Sequence, residues 1–308
     1  MNYFLPVQCG APDMANNKIK NIKSLINNSL IQNYSQINNI LKNNELNLSY
    51  YLAGLIEGDG YISINNKNKV IIAITFNIKD KPLADKLLIN LGLGKGFIVK
   101  RKSNSIELRF SSIISLKKII NLINGKFRTP KIEQLYRLID WINKNHNTKF
   151  KKLSLDNSSL ENNSWLAGFI DADGSFYIRY SKKQIICKFN LEQRMIYPKT
   201  NESYKIILDQ ICLFLNVKLA IRNRLNYKNS YYIIKIENQN SIKILINYLT
   251  NNKLLSSKYL DFLDWNNAFK EIINKNHFTD EGKNKIYLAK NNMNNKRIYF
   301  NWDHLNFL

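Results

Sequence analysis

The sequence YLAGLIEGDG occupies residues 51–60, and a second version, WLAGFIDADG, occupies residues 165–174. Each version begins with apolar and small residues and ends with an acid, a small residue, Asp and Gly. An internal repeat of this kind is typical of a duplicated structural unit. We therefore expect two similar halves within one chain.

Each version is expected to form a helix that packs against the other. Small residues recur four positions apart on one face of each helix, which allows two helix backbones to approach closely. These small residues are Gly54, Gly58, Gly168 and Ala172. Gly60 and Gly174 follow, and we expect them to end the helices in the left-handed conformation that glycine readily adopts.

Asp59 and Asp173 are expected to lie side by side at the two helix C-termini. That placement is unfavourable by itself, because helix C-termini carry partial negative charge and two carboxylates repel each other. Mg²⁺ prefers oxygen ligands, binds phosphate and would offset the repulsion, so the pair predicts metal-assisted phosphodiester hydrolysis. A single Gly-Asp-Gly is more often a simple turn, but two copies in matching contexts favour a shared site. Glu57 and Asp171 are expected to brace the partner helix.

The composition indicates a nucleic-acid partner. Lys and Arg number 46 against 23 Asp and Glu, a formal net charge of +23, which points to a polyanion or an anionic membrane surface. No apolar run approaches the roughly 18 residues of a membrane-spanning helix. The basic residues alternate along strand-like segments instead of lining one amphipathic helix. The three Cys and three His lack the spacing of a disulfide framework or a zinc site.

Hydrophobic periodicity predicts the same order of elements in both halves. The first half is expected to contain strands at 61–64, 70–78, 96–102 and 105–110, and helices at 83–91, 113–123 and 132–142. The second half is expected to contain strands at 175–180, 185–194, 218–225 and 231–237, and helices at 204–215, 242–249 and 259–273. This order predicts an α+β fold made of a pseudo-twofold pair of αββαββα units, with one antiparallel sheet each and a two-helix interface between them.

The division of the chain follows from these patterns. Residues 1–44 are predicted to be an N-terminal extension and residues 45–150 the first repeat. Residues 151–163 are polar and are predicted to form a linker. Residues 164–308 are predicted to contain the second repeat and a C-terminal tail.

One face of each predicted sheet is rich in Arg, Lys, Asn and Gln, the side chains that read base edges in the major groove. A solvated sheet face is the ordinary alternative, but two basic faces beside a carboxylate pair favour DNA contact. The first half contributes Thr75, Asn77, Lys79, Arg101 and Arg109. The second half contributes Arg179, Lys188, Asn190, Arg194, Arg222, Arg224 and Lys235.

The two decapeptides resemble those of the LAGLIDADG homing endonucleases, specifically the single-chain class with two motifs, and the resemblance covers roughly residues 45–308. It implies a monomeric pseudo-dimer in which two sheets form a DNA-binding saddle. It also implies that Asp59 and Asp173 bind Mg²⁺ and that both DNA strands are cleaved, which promotes the mobility of a group I intron.

The resemblance further implies polar and basic groups around the metals. By position Gln193 is one, with Asp80 as its first-half counterpart. Arg128 is a second, and its counterpart in the other half is Leu255, so the two cleavage centres are expected to be chemically unequal. Four nearby lysines could compensate, although solvated surface positions are their more ordinary interpretation: Lys126, Lys131, Lys253 and Lys258.

The segment from Asn2 to Ala15 resembles part of cytochrome oxidase subunit 1. Such a remnant would arise if translation continues from an upstream exon into an intron, which implies a mitochondrially encoded protein. Two alternatives to the nuclease stay open. One is an RNA maturase that assists the splicing of its own intron, alone or in addition to cleavage. The weaker one is a transcription regulator, which would be expected to lose the two acids.

Overall fold

The protein is described by a computed structural model that covers residues 45–91, 96–101, 104–181, 184–223, 230–306 and 308. The predicted N-terminal extension and Arg224 lie outside these residues. Residues 47–308 form one compact unit, to which the description below applies.

The described residues of the first repeat form four α-helices and four strands. They are α1 (residues 45–59), β1 (Gly60–Ile64), β2 (Val70–Asn77), α2 (Lys81–Asn90), β3 (Gly96–Lys100), β4 (Ser105–Phe110), α3 (Ile113–Ile123) and α4 (Ile132–His146). The four strands form an antiparallel sheet in the order β1-β2-β4-β3.

The second repeat has the same order of elements. They are α5 (Trp165–Asp173), β5 (Gly174–Tyr180), β6 (Ile185–Arg194), α6 (Lys205–Phe214), β7 (Leu219–Asn223), β8 (Ser230–Ile236), α7 (Gln239–Asn251) and α8 (Lys258–Ile273). Its antiparallel sheet has the matching order β5-β6-β8-β7. The predicted α+β pair of αββαββα units is therefore confirmed. An additional helix, α9 (Asp280–Asn291), was not predicted.

Alternation along β5 and β6 determines which face of the second sheet is buried. Phe176 and Ile178 lie in the core, whereas the next residue, Arg179, is exposed. Phe176 pairs with Phe189, so apolar side chains from both strands share one face. Burial of each such side chain is worth about 1.5–3 kcal/mol. A slip of one residue would bury the basic set instead, which specifies the register.

Helices α3 and α7 begin with short polar side chains at matching positions. Ser112 accepts a hydrogen bond from the Ser115 backbone amide at 3.2 Å, and Asn238 accepts one from the Ser241 amide at 2.9 Å. Each bond satisfies an amide that has no partner within the first helical turn. The shared cap shows that the duplication extends to local structure.

The motif helices α1 and α5 meet through their small residues. A Cβ atom on Gly54 would lie 2.0 Å from the Trp165 carbonyl oxygen, and one on Gly168 would lie 2.0 Å from the Tyr51 carbonyl oxygen. Only a residue without a side chain permits this approach. Gly58 lies against Ala172 in the same way. The predicted helix interface is therefore present.

The expected left-handed conformation of Gly60 and Gly174 is wrong. Gly174 has φ −79° and ψ 156°, and Gly125 is the positive-φ glycine among the described residues. Both motif glycines continue directly into a strand. Glycine is needed there for space, because a Cβ on Gly60 would lie 2.8 Å from the Ile56 carbonyl oxygen and one on Gly174 would lie 2.8 Å from that of Ile170.

The chain after α8 connects the two repeats. Asn294 donates a hydrogen bond from Nδ2 to the Phe176 carbonyl oxygen at 3.0 Å, and Arg297 pairs with Asp264 at 2.5 Å. Asn90 of α2 donates to the carbonyl oxygen of Leu308 at 2.5 Å. The tail therefore joins the second repeat to the first. No helix in the described part of the chain is long and apolar enough to span a bilayer.

Candidate active site and nucleic-acid interface

Asp59 and Asp173 are the last residues of α1 and α5, at the end of the close helix contact. A Cβ on Gly58 would lie 3.3 Å from Oδ2 of Asp173, so the second carboxylate reaches the backbone of the first motif helix. The packing of small residues thus brings the two predicted metal ligands together.

The surroundings of the two carboxylates disfavour their charged forms. Loss of water, together with the nearby charge of Asp59, raises the pKa of Asp173 to about 6, although Lys258 and Lys131 oppose the shift. Loss of water also raises the pKa of Asp59, while Lys258 and Lys131 lower it. Two mutually repelling carboxylates held in place by the backbone are a site that a cation would stabilise.

Lys131 and Lys258 occupy matching positions beneath this pair. The Lys131 ammonium group donates to the carbonyl oxygens of Ile56, Gly58 and Gly60 at 3.2, 2.9 and 2.9 Å. Burial lowers its pKa to about 8, although Asp173, Glu57 and Asp59 oppose the shift. A cation at the C-terminus of a helix offsets the partial negative charge of the terminal carbonyls.

Lys258 makes similar contacts in the second repeat. Its ammonium group donates to the carbonyl oxygens of Ile170, Asp171 and Ala172 at 3.2, 2.6 and 2.8 Å. Burial lowers its pKa, and Asp171 opposes the shift most strongly. The interpretation of these two lysines as solvated surface residues is therefore wrong, because each caps the C-terminus of a motif helix.

Glu57 and Asp171 make the bracing contacts expected of them. Glu57 accepts from the Trp165 indole nitrogen at 2.6 Å, and Asp171 accepts from the Tyr51 hydroxyl at 2.6 Å. In both cases the donor lies on the motif helix opposite the acid. Glu57 also accepts from the Thr129 amide at 2.6 Å, as Asp171 does from the Leu255 amide at 2.7 Å. Both acids therefore connect the helix pair by hydrogen bonds to the segments before α4 and α8.

Gln193 lies beside one carboxylate of the pair. Its Nε2 atom donates to Oδ2 of Asp173 at 3.0 Å. The expected counterpart, Asp80, is instead buried and accepts from the Ser257 amide at 2.7 Å, at the start of α8. The strand register instead makes Phe76 the counterpart of Gln193. Ile74 pairs with Gly60 as Leu191 pairs with Gly174, and Phe76 and Gln193 each lie two residues further along the strand. The surroundings of Asp59 and Asp173 therefore differ at this position.

Arg128 is not placed with the aspartates. Its guanidinium group is buried, pairs with Asp156 at 2.5 Å and donates to Ser158 at 2.9 Å. It also stacks 5.5 Å from the centre of the Trp165 ring. These contacts anchor the linker to the helix pair, and the catalytic role of Arg128 stays a prediction. The sequence pattern could not show these contacts, because Asp156 approaches only when the linker folds back.

Most of the predicted DNA-reading residues lie on one outer face of each sheet. Strand register and alternation place Thr75, Asn77 and Arg109 on the first outer face, with Arg101 directly after β3. On the second outer face they place Arg179, Lys188, Asn190, Arg194, Arg222 and Lys235. Lys79 differs, because it lies in a 3₁₀ turn after β2 with its ammonium group 5.8 Å from the Phe300 ring centre.

Carboxylates hold several of these basic side chains. Glu107 contacts Arg101 at 2.5 Å and Arg109 at 2.7 Å on the first face. On the second face Arg222 contacts Glu192 at 2.8 Å, and Lys188 pairs with Glu237. Several basic side chains of the two outer faces are therefore paired with carboxylates.

Comparison with known proteins identifies the fold. The model of the family described as LAGLIDADG endonuclease matches residues 52–155 and again residues 166–269. This chain belongs to the LAGLIDADG endonuclease family. Each match begins within one of the repeated decapeptides and ends beyond the last strand of its sheet, so the family unit coincides with the structural repeat.

The names of two curated relatives refer to introns. The intron-encoded DNA endonuclease aI3 of Saccharomyces cerevisiae is 31% identical over 317 residues, which cover 87% of this chain and 76% of the relative. The uncharacterized cox1 intron-2 37.2 kDa protein of Schizosaccharomyces pombe is 32% identical over 256 residues, which cover 79% and 72%.

A solved LAGLIDADG structure has the same fold. The endonuclease I-SmaMI, bound to an uncleaved DNA target in the presence of calcium ions, superposes with a TM-score of 0.58 at 22% identity. The match covers 80% of this chain and 98% of that one. At this identity the similarity establishes the fold of this chain and assigns no role to its individual residues.

The LAGLIDADG carboxylates of this chain fit a divalent cation with a partly open coordination sphere. No group of three or more His, Cys, Asp or Glu side chains converges within the described ranges. An ion at Asp59 and Asp173 would thus receive few protein ligands and would complete its shell with water and phosphate oxygens, as Mg²⁺ commonly does. Burial is the main cause that raises the pKa of both acids, and a bound cation would favour their charged forms.

The sequence contained a signal for Lys131 and Lys258. Thr129 and Ser256 each precede a lysine by two positions, at the same place in the two repeats. A lysine kept at matched positions in two otherwise diverged repeats indicates a shared contact. The depth of that contact could be recognised only from the structure, because the lysines reach back to helices more than 70 residues earlier.

Proposed function

We propose that this protein is a site-specific double-strand DNA endonuclease that uses Mg²⁺ and acts as a monomer. The observation that carries the proposal is the pair Asp59 and Asp173, held at the meeting C-termini of two helices between two basic sheet faces. DNA is the polyanion that such faces fit. The cleavage would promote the mobility of a group I intron, and the site of action would be the mitochondrion.

Asp59 and Asp173 would hold the metal, and the contact of their helices would set the spacing of the two carboxylates. When bound, Mg²⁺ supplies Lewis-acid polarisation of the scissile phosphate and lowers the pKa of a bound water. Lys131 and Lys258 would place positive charge beneath the site at which phosphate charge develops. Their buried ammonium groups act at short range in a poorly hydrated environment, where such charges interact strongly.

Gln193 would orient the second carboxylate. Its amide holds Oδ2 of Asp173, so the other carboxylate oxygen has a defined direction toward the metal. Partners that orient a metal ligand in this way commonly contribute 10- to 100-fold to affinity or activity. The outer sheet faces would bind the duplex on both sides of this centre.

Digestion of a defined duplex tests the proposal. A DNA fragment spanning joined exons of cytochrome oxidase subunit 1, incubated with Mg²⁺, should give one double-strand break whose ends can be mapped. Asp59→Asn or Asp173→Asn should abolish cleavage while binding persists. Asp140→Asn, which removes a carboxylate from the exposed surface of α4, is the matched control and should cut normally. Cleavage by both active-site variants would overturn the assignment of the metal site.

The same variants separate cleavage from the maturase activity predicted as the alternative. A maturase would assist the splicing of its intron RNA through the basic surfaces and would not need the two carboxylates. The doubly substituted protein should therefore lose DNA cleavage completely. Splicing that persists with this variant would assign an RNA role in addition to the nuclease.

A further inference from the structure

A nearly buried carboxylate lies in the middle of the first outer sheet face. Glu107 of β4 is 5% exposed, although the face around it is basic and polar. Its cross-strand neighbours are Thr75 on β2 and Val99 on β3. A buried carboxylate is costly unless charged donors compensate for the lost water. The donors around Glu107 therefore matter to the structure of this face.

Three side chains donate to Glu107 from three strands or strand ends. Arg101 contacts Oε1 at 2.5 Å, and Arg109 contacts Oε2 through Nε and Nη2 at 2.8 and 2.7 Å. The Tyr61 hydroxyl donates to Oε2 at 3.2 Å. Tyr61 reaches across Ala73, which is the register neighbour of both Tyr61 and Arg109.

The charge of Glu107 is stabilised by this arrangement. Burial opposes ionisation, but hydrogen bonds from Arg101 and Arg109 outweigh it and lower the pKa of Glu107. A guanidinium group has five N–H donors in a rigid fork, so each arginine keeps donors beyond those used here. The side chains of Arg101 and Arg109 remain 43% and 19% exposed. Two guanidinium groups are thus held in fixed positions on a surface that is open to a ligand.

The second sheet carries its acids at other positions. The position matching Glu107 is occupied by Ile233, which is buried. On that face Glu192 of β6 contacts Arg222 at 2.8 Å, and Glu237 after β8 pairs with Lys188. Lys235 occupies the position in the second sheet that Arg109 occupies in the first. The two faces are similar in positive charge but differ in how the charge is positioned.

We propose that Glu107 is a positioning residue for DNA sequence recognition, which holds Arg101 and Arg109 in place to read two guanines in one half of the target site. The proposal rests on the proposed function as a site-specific nuclease. A bidentate contact from arginine to the O6 and N7 atoms of guanine is the commonest base-specific contact in the major groove. Without Glu107 the same arginines would keep their charge and attraction to phosphates but lose their fixed direction.

Selection from a pool of random-sequence duplexes in EDTA tests this role in the intact protein. Wild type should select a site with two guanine preferences in one half. Glu107→Gln should lower discrimination at those positions by about tenfold or more. Its affinity for a scrambled duplex should stay equal or rise, because a negative charge beside the phosphates is removed. The matched variant Glu192→Gln should relax base preference in the other half only.

Each outcome has a distinct meaning. Unchanged selection by Glu107→Gln, or an equal loss of affinity for the selected and scrambled duplexes, would overturn the positioning role. If circular dichroism shows that this variant is unfolded, Arg109→Lys supplies the test, since it keeps the charge but not the fork and should lose one guanine preference. A wild-type protein that selects no sequence at all would refute the proposed function itself.

Discussion

Gly58 of α1 lies so close to Ala172 of α5 that a Cβ on the glycine would stand 2.1 Å from the Cβ of the alanine. The same added atom would lie 3.3 Å from Oδ2 of Asp173. One contact therefore determines both the distance between the motif helices and the position of a carboxylate. Helix packing and active-site geometry are coupled at this point.

Gly58→Ala should destabilise the protein and slow cleavage together. The added methyl group has no space, and overpacking of this kind costs about 1–3 kcal/mol. The matched double variant, Gly58→Ala with Ala172→Gly, exchanges the two residues and should recover much of the loss. Urea denaturation and cleavage of the joined-exon duplex measure the two effects. Equal stabilities for the single and double variants would show that the contact is not limiting.

Glu57→Gln should be more destabilising than Asp171→Asn. Both oxygens of Glu57 accept from N–H donors, including the Trp165 indole, so a glutamine amide would face a donor and leave it unsatisfied. A buried donor without a partner costs about 1–3 kcal/mol. One oxygen of Asp171 instead contacts the Ser256 hydroxyl at 2.5 Å, and a hydroxyl can also accept. Denaturation midpoints of the two variants give the comparison, and an equal loss would contradict it.

Between pH 8 and 10.5 the unfolding free energy of wild type should rise with pH relative to that of Lys131→Met. The folded protein releases the Lys131 proton near pH 8, whereas the unfolded chain holds it until its ordinary value of 10.5. Between these values the unfolded state binds more protons, so rising pH favours folding by up to about 1.4 kcal/mol per pH unit. Denaturation of both proteins with EDTA at several pH values in this window measures the difference. A difference that is flat or shrinks with pH would contradict the buried position.

The features predicted from the sequence are those that depend on local pattern and on repetition. The helix pair, the packing of Gly54 and Gly168 and the positions of Asp59 and Asp173 follow from two matching decapeptides. The strands follow from alternation, which assigns one face to the core. These signals are contained in short segments, so they can be recognised without knowledge of the tertiary structure.

Other features depend on contacts between distant segments. Arg128 pairs with a linker residue, and Asp80 caps the start of a helix in the other repeat, which no local pattern reveals. The register that makes Phe76 the counterpart of Gln193 arises because β5 and β6 form a hairpin with longer strands than those of β1 and β2. The extended φ of Gly174 is set by the strand that follows it. Tertiary structure decides each of these points.

Arg128→Gln should lower stability without slowing cleavage by the folded protein. Removal of one partner of a buried ion pair leaves Asp156 uncompensated and costs about 3 kcal/mol. The double variant Arg128→Gln with Asp156→Asn removes both charges and should be more stable than the single variant. Denaturation and cleavage rates measured well below the unfolding transition distinguish the two roles. A slow but stable Arg128→Gln protein would restore a catalytic function to this arginine.

Gln193→Ala should slow the cleavage of one DNA strand more than the other. The amide at 3.0 Å orients Asp173, whereas Phe76, its register counterpart, has no hydrogen-bond donor to offer near Asp59. Loss of such an orienting contact commonly costs 10- to 100-fold, and here the loss is confined to one centre. Duplexes labelled separately at each 5′ end should show a nicked intermediate with the same strand always intact. Phe76→Leu is the matched control and should leave the ratio of the two strand rates unchanged. An equal slowing of both strands by Gln193→Ala would mean that the two centres act as one unit, with the amide supporting their common geometry.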